Sequence, residues 1–154
     1  MSPLEAGTQA PDFSLSDLQK LIREMYSTKD EARGAALIRQ GSDNRYVPAQ
    51  VEYARLLALG RGVPRDEPAS VALYRVAADT GDEYAQYGLG MAYLNGRGVA
   101  RDEAEAARWL DASARQGWAW AQLQMGHLFR TGTGVPRMRA EAFKWYALAA
   151  RSGV

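Results

Sequence analysis

Cysteine is absent from the 154 residues, histidine occurs once, and lysine stands only at Lys20, Lys29 and Lys144. Without cysteine the chain has no disulfide, no thiolate nucleophile and no thiolate metal site. The lone histidine, His127, has no second imidazole or thiolate with which to share a metal ion. A hydrolytic triad would have to be built on it, and no Gly-x-Ser-x-Gly elbow presents a nucleophile. Acidic residues are scattered at capping or surface positions and form no facing pair for general acid/base work. The formal net charge is only +1, which announces neither a nucleic-acid binder nor an acidic tail. No apolar run approaches the length of a membrane-spanning helix. The stretch from Met1 to Ser14 has neither a basic region nor an apolar core, so it does not read as a signal peptide. These absences lead us to expect no enzyme activity, no cofactor, no metal, no membrane insertion and no nucleic-acid partner. A cytoplasmic home is the simplest expectation, with the periplasm as the alternative if a signal peptide has been removed.

What is present is a repeat. Gly60-Arg61-Gly62-Val63 recurs as Gly96-Arg97-Gly98-Val99 and again as Gly132-Thr133-Gly134-Val135, at a step of 36 residues both times. At the same step Ala49-Gln50 becomes Ala85-Gln86 and Ala121-Gln122, while Gly81 becomes Gly117 and Gly153. Leu73-Tyr74 becomes Trp109-Leu110 and Trp145-Tyr146. Each unit reads as two helices, the first over 48–59, 83–95 and 119–131, each stopped by a glycine suited to the left-handed position after a helix. The second helices are expected over 67–79, 103–115 and 139–151, with Asp66 and Asp102 as N-caps, Asp102 and Glu105 as a capping box, and Met138 as a poorer start. Ala54, Gly90 and Gly126 recur in mid-helix. Glycine there costs about 1 kcal/mol relative to alanine, so close approach of the partner helix is the expected compensation. Leu57, Tyr93 and Phe129 with Tyr74, Leu110 and Tyr146 are expected to form the core within each repeat.

This pattern resembles the Sel-one-like repeat family, relatives of the tetratricopeptide repeats. The second unit matches its consensus through Ala85, Leu89-Gly90, Tyr93, Gly96-Arg97-Gly98-Val99, Asp102, Ala106, Trp109-Leu110, Ala114 and Gly117. The third matches through Ala121, Gly126, Phe129, Gly132-Thr133-Gly134-Val135, Ala142, Trp145-Tyr146, Ala149-Ala150 and Gly153. The first departs from it at Tyr53-Ala54 and Ser70. The resemblance implies an all-α fold, a right-handed α-α superhelix of helix-turn-helix repeats spanning 47–82, 83–118 and 119–154. Secreted members of the family carry paired cysteines, which this chain lacks.

Upstream, Leu15, Leu18, Ile22 and Met25 mark one face of an amphipathic helix with Ser16 as its cap. Thr28-Lys29-Asp30-Glu31 offers a capping box for a second helix that stops at Gly41. We therefore expect a flexible N-terminus over 1–12 and a capping hairpin with its connection over 13–46. Downstream, no polar capping helix follows the third unit. The open end calls either for a self-contact, such as a homodimer, or for a polar outer face on the last helix.

In the related tetratricopeptide arrays the first helices line a concave groove that holds peptides or partner helices. Carried over by position, that groove would present Val51 and Arg55, then Tyr84, Tyr87, Met91, Leu94 and Asn95, then Trp120, Leu123, His127, Arg130 and Thr131. Aromatics and methionine would anchor a partner and arginine would meet its carboxylates. Tyr87 and Leu123 lie nearest the stacking face and are the readiest to be structural. Tyr84 and Trp120 are the strongest candidates, since a large aromatic at the start of a helix is expected to have few internal neighbours. Arg61, Arg65, Arg97, Arg101, Arg137 and Arg139 form a second candidate surface, although Asp66 and Asp102 stand beside Arg65 and Arg101 and exposed pairs are near neutral energetically. The reading is a protein-interaction module, an adaptor or scaffold. The alternatives are a dedicated inhibitor of the immunity type that occludes a toxin or enzyme, and a small-ligand binder or enzyme built around His127 and Arg130.

Overall fold

The computed structural model describes residues 14–28 and 30–154; the N-terminal segment expected to be flexible lies outside them, as does Lys29. Eight α-helices and no strand are found among the described residues: α1 (Leu15–Thr28), α2 (Glu31–Asp43), α3 (Val47–Leu59), α4 (Glu67–Asp79), α5 (Glu83–Asn95), α6 (Glu103–Arg115), α7 (Ala119–Thr131) and α8 (Arg139–Arg151). The chain is all-α, of the α-α superhelix class. It divides into two compact units, one ending at Asp66 and one running from Glu67 to Val154. None of the described helices is long and apolar enough to cross a membrane.

In the first unit, α1 is capped by Ser14 rather than Ser16. The Ser14 hydroxyl accepts from the Asp17 amide at 3.1 Å, and the Asp17 carboxylate accepts from the Ser14 amide at 3.0 Å. Hydrogen bonds from the Ser14 hydroxyl and amide hold the Asp17 carboxyl below its ordinary range. The expected box at the start of α2 is likewise displaced. Asp30 is the cap and accepts from the Arg33 amide, while Glu31 pairs with Arg61 at 2.8 Å. Nor does α2 stop at Gly41, which is buried inside it. It runs on to Asp43, and the chain turns at Arg45, whose φ is +62°. Leu18 and Met25 of the expected face join Ala35, Ile38, Ala49 and Leu56 in the core, whereas Leu15 stays exposed.

In the second unit, the glycines after the first helices behave as expected: Gly96 and Gly132 adopt φ of +63° and +73°. The mid-helix glycines are close-approach points, since a Cβ on Gly90 would lie 2.7 Å from Leu110 Cγ and one on Gly126 would lie 2.6 Å from the Tyr146 ring. Met125, Leu128 and Trp145 fill the deep core together with Leu110 and the alanines 107, 114 and 121. Tyr93 and Phe129, expected in that core, are only half-buried, and the Tyr93 hydroxyl instead accepts from Arg75 at 2.5 Å. Asp102 caps α6 through the Glu105 amide, but the reciprocal half of the box is missing. Its own amide donates to Tyr93 O, and the Glu105 carboxylate is taken by Arg108. Met138 makes no side-chain cap, as its chemistry dictates.

Adjacent repeats meet through backbone. A Cβ on Gly98 would overlap Glu67 O, at the start of the preceding repeat's second helix, and one on Gly134 would overlap Glu103 O. Gly62 stands in the same relation to Glu31 O within the first unit. The first glycine of each Gly-x-Gly ends a helix, and the second is the one seated against a backbone carbonyl of the neighbouring hairpin. The buried glutamines add a second link, with Gln86 Nε2 donating to Ala78 O at 3.4 Å and Gln122 Nε2 to Ala114 O at 3.2 Å.

The last helix does not have the polar outer face considered as one way to finish the array. Phe143 is 75 % exposed on it, and Ala150 is exposed as well.

Candidate functional site

The first helices of the second unit present one face each, because residues seven apart return to nearly the same side of a helix. On α5 this face carries Tyr84, Tyr87, Met91, Leu94 and Asn95, and on α7 the equivalent residues are Trp120, Leu123, His127, Arg130 and Thr131. The two faces differ in how far they are committed to packing. Tyr87, Met91 and Leu94 are half-buried against the core, and burial, with Tyr84 adding to it, pushes the Tyr87 phenol up. Tyr84 does not lack neighbours: its ring lies 6.3 Å from Tyr74 and 5.4 Å edge-on from Trp118. Of the residues on this face of α5, only Asn95 is exposed. On α7, by contrast, Trp120 is 49 % exposed and Arg130 and Thr131 are exposed, with Leu123 and His127 half-buried.

Trp118 was not singled out in the sequence, yet it joins the two helices. It occupies the N-cap position of α7, where the preceding repeat has Asp82, and its ring also lies 6.4 Å from Tyr87. Its indole N–H is buried with no acceptor. Such a donor costs roughly 1–3 kcal/mol, about what burial of a large aromatic ring returns. An aromatic in a capping slot is the sequence signal that could have revealed it.

At the far end of the α7 face three side chains form a chain of hydrogen bonds. Arg130 Nε–H donates to the Tyr146 hydroxyl at 3.2 Å, and that hydroxyl lies 2.8 Å from His127 Nδ1. A guanidinium can only donate, so the hydroxyl is the acceptor toward Arg130, and the direction of its bond with Nδ1 follows the imidazole tautomer. The rings of His127 and Tyr146 meet edge-on at 5.3 Å. Thr131 Oγ1 donates back to His127 O at 2.9 Å. The corresponding residues one repeat earlier, Met91, Leu94 and Leu110, are apolar, so the fold itself does not require this polar set. His127 is held by a phenol beside a cation.

Arg55 belongs to the first unit and is engaged there. It pairs with Glu52 at 2.6 Å and donates to the Tyr26 hydroxyl. The Glu52 hydrogen bond, opposed by burial, raises the guanidinium pKa above its ordinary value. Val51 is half-buried in the same unit. Two arginines of the second candidate surface are engaged. Arg61 lies over the Tyr26 ring at 4.1 Å besides its pairing with Glu31, and Arg101 pairs with Glu103 rather than Asp102.

Sel1 repeats are matched over residues 47–82, 83–118 and 121–154, more than half of the chain. The chain belongs to the Sel1 repeat family. Among solved structures, it is similar to a protective antigen present in uropathogenic Escherichia coli strains that displays an SLR fold. That likeness has 33 % identity and a TM-score of 0.83, and covers 91 % of this chain and 30 % of the other. A Sel1 repeat protein from Oxalobacter formigenes is 28 % identical with a TM-score of 0.81, over 91 % of this chain and 55 % of that one. The chain thus spans less than two-thirds of either structure. No curated protein matches it. Sel1 repeats are, in general, non-catalytic modules that bind other proteins.

Proposed function

We propose that the chain is an adaptor or scaffold that holds a segment of a partner protein on the α5–α7 face, with the α7 half as the main contact. The observation that carries this reading is Trp120, half exposed at the start of α7 and in line with a donor set whose apolar counterparts would have served the fold equally well. An exposed tryptophan near arginine has the composition of an interface anchor. About two helical turns, roughly 10 Å, separate Trp120 from His127. An extended segment with an apolar side chain and an acidic group about three residues apart would reach both.

The test is capture from the native host's lysate by the wild-type chain and by a Trp120→Ala/Arg130→Ala variant. Both positions are exposed, so the variant keeps its fold. A partner that the wild type retains and the variant holds at least tenfold more weakly, about 1.4 kcal/mol, is the expected result. Equal retention would move the interface off α7. An inhibitor role would use the same face and would show as loss of the captured enzyme's activity at one-to-one stoichiometry. A cytoplasmic location belongs to this proposal and is checked by cell fractionation.

A further inference from the structure

Charge is not spread evenly over the repeats. Those over 47–82 and 83–118 each carry four arginines and five carboxylates, whereas 119–154 has Arg130, Arg137, Arg139, Lys144 and Arg151 against Glu141 alone. The second helices show where the difference lies. On and just before α6, three cations each have a carboxylate within their own repeat. Arg101 pairs with Glu103 at 2.6 Å, Arg108 with Glu105 at 2.8 Å and Arg115 with Asp111 at 2.7 Å. One repeat later the cations recur as Arg137, Lys144 and Arg151, and Lys144 keeps its partner, Glu141, at 3.0 Å. The slot of Glu103 holds Arg139 and that of Asp111 holds Ala147, so neither Arg137 nor Arg151 has the carboxylate that its counterpart pairs with. Exposed pairs of this kind are worth about 0–1 kcal/mol, so the fold neither needs them nor suffers from their loss. What changes is the field outside the helix.

Residues seven apart return to nearly the same side of a helix, about 10 Å apart along its axis. Lys144 and Arg151 are so related, and Arg137 stands one such step earlier, just ahead of α8. The helix turns Ala142, Trp145 and Ala149 inward, while Arg137, Lys144 and Arg151 are all exposed. That exposure belongs to the position in the repeat. On α6, which has a repeat on either side, Arg101, Arg108 and Arg115 are still 62 %, 62 % and 71 % exposed. Between the cations the same side of α8 carries Ala140, Ala147 and Leu148, the last 40 % exposed. Small apolar residues flanked by cations two turns apart admit the close approach of another helix and select one that brings anions. We infer that this side of α8 docks an acidic helix of a partner protein. Its carboxylates, seven residues apart, meet Arg137, Lys144 and Arg151, and small residues between them lie against Ala140 and Ala147. Three cations give too little phosphate neutralisation for tight nucleic-acid binding, and Glu141 within the strip would repel a phosphate backbone. The strip shares no residue with the α5–α7 face and stands without it.

The probe is an alanine-rich peptide of three heptads with glutamate at every seventh position, beside a peptide of the same composition whose glutamates are spread around the helix. Binding to the full chain is read by fluorescence anisotropy at low salt. The aligned peptide should bind saturably, roughly tenfold tighter than the spread one, and should weaken as salt screens the pairs. Arg137→Glu/Arg151→Glu in the chain should cost about tenfold, with its circular dichroism unchanged because both side chains are exposed. The same variant should gain affinity for a peptide with lysine in place of glutamate, which a merely structural role would not produce. Trp120→Ala/Arg130→Ala should bind the aligned peptide as the wild type does. If that variant loses the peptide, the acidic helix sits on the α7 face, and the strip is overturned while the proposed function stands. Absence of saturable binding, equal binding of the two peptides, or binding that ignores Arg137→Glu/Arg151→Glu overturns the strip and leaves the α7 reading untouched. Tighter binding of duplex DNA or of phosphatidylserine vesicles than of the aligned peptide would make this a phosphate-binding surface and overturn the inference as well.

Discussion

Gly98→Ala should lower the thermal unfolding midpoint by about 10 °C. Two separate terms contribute. The backbone at Gly98 has φ of +71°, where a residue with a Cβ loses roughly 1–2 kcal/mol. The added methyl would also overlap Glu67 O, a backbone atom inside α4 that cannot rotate away. Overpacking of that kind costs roughly 1–3 kcal/mol. The sum, about 3 kcal/mol, corresponds to about 10 °C for a chain of this size. Gly117→Ala separates the terms, because Gly117 has φ of +98° and nothing within 4 Å of its Cβ position. It should lose only the backbone part, about a third to a half of the effect. Equal losses at the two positions would show that the Gly98 contact with α4 does not hold the repeats together.

Gly126→Leu should be at least as damaging and should reach the candidate site too. Its Cβ would lie 2.6 Å from the Tyr146 ring, and that ring carries the hydroxyl which orders His127 and Arg130. A leucine there must push Tyr146 aside, at a cost of about 3 kcal/mol, and break both hydrogen bonds. Gly90→Leu meets Leu110 in the same geometry but has no polar set behind it. Both variants should therefore unfold early, while only Gly126→Leu, assayed below its midpoint, should also lose partner capture. If Gly126→Leu kept both its midpoint and its partner, Tyr146 would not be the element that couples packing to the site.

Much of the fold was legible because the repeat states each rule three times. One Gly-x-Gly is a weak signal, but the same motif at a fixed step defines helix ends, turns and stacking together, and the helices from α4 to α8 begin and end where the periodicity placed them. The N-terminal hairpin has no such redundancy. There, Ser14 and Ser16, or Thr28 and Asp30, are equally good caps on local chemistry, and only the packed position of α1 and α2 chooses between them. Gly41 failed as a stop signal for a related reason: a glycine inside a helix and one after it look alike until burial is known. At the candidate site the periodicity put the residues on one face of each helix but could not rank their exposure. Exposure does that, and it depends on neighbours such as Trp118, which covers Tyr84 and Tyr87 and leaves Trp120 in solvent.

The contact of Gly62, Gly98 and Gly134 with a carbonyl oxygen has a consequence for how such a chain can change over generations. Part of the junction between neighbouring repeats is thus made of main-chain atoms, which every residue possesses. Unequal exchange between two 36-residue blocks could therefore delete or add a whole block, and each new boundary would keep this main-chain contact. Repeat number can drift by whole units, while selection for a particular partner acts on the helix faces that the junctions leave untouched.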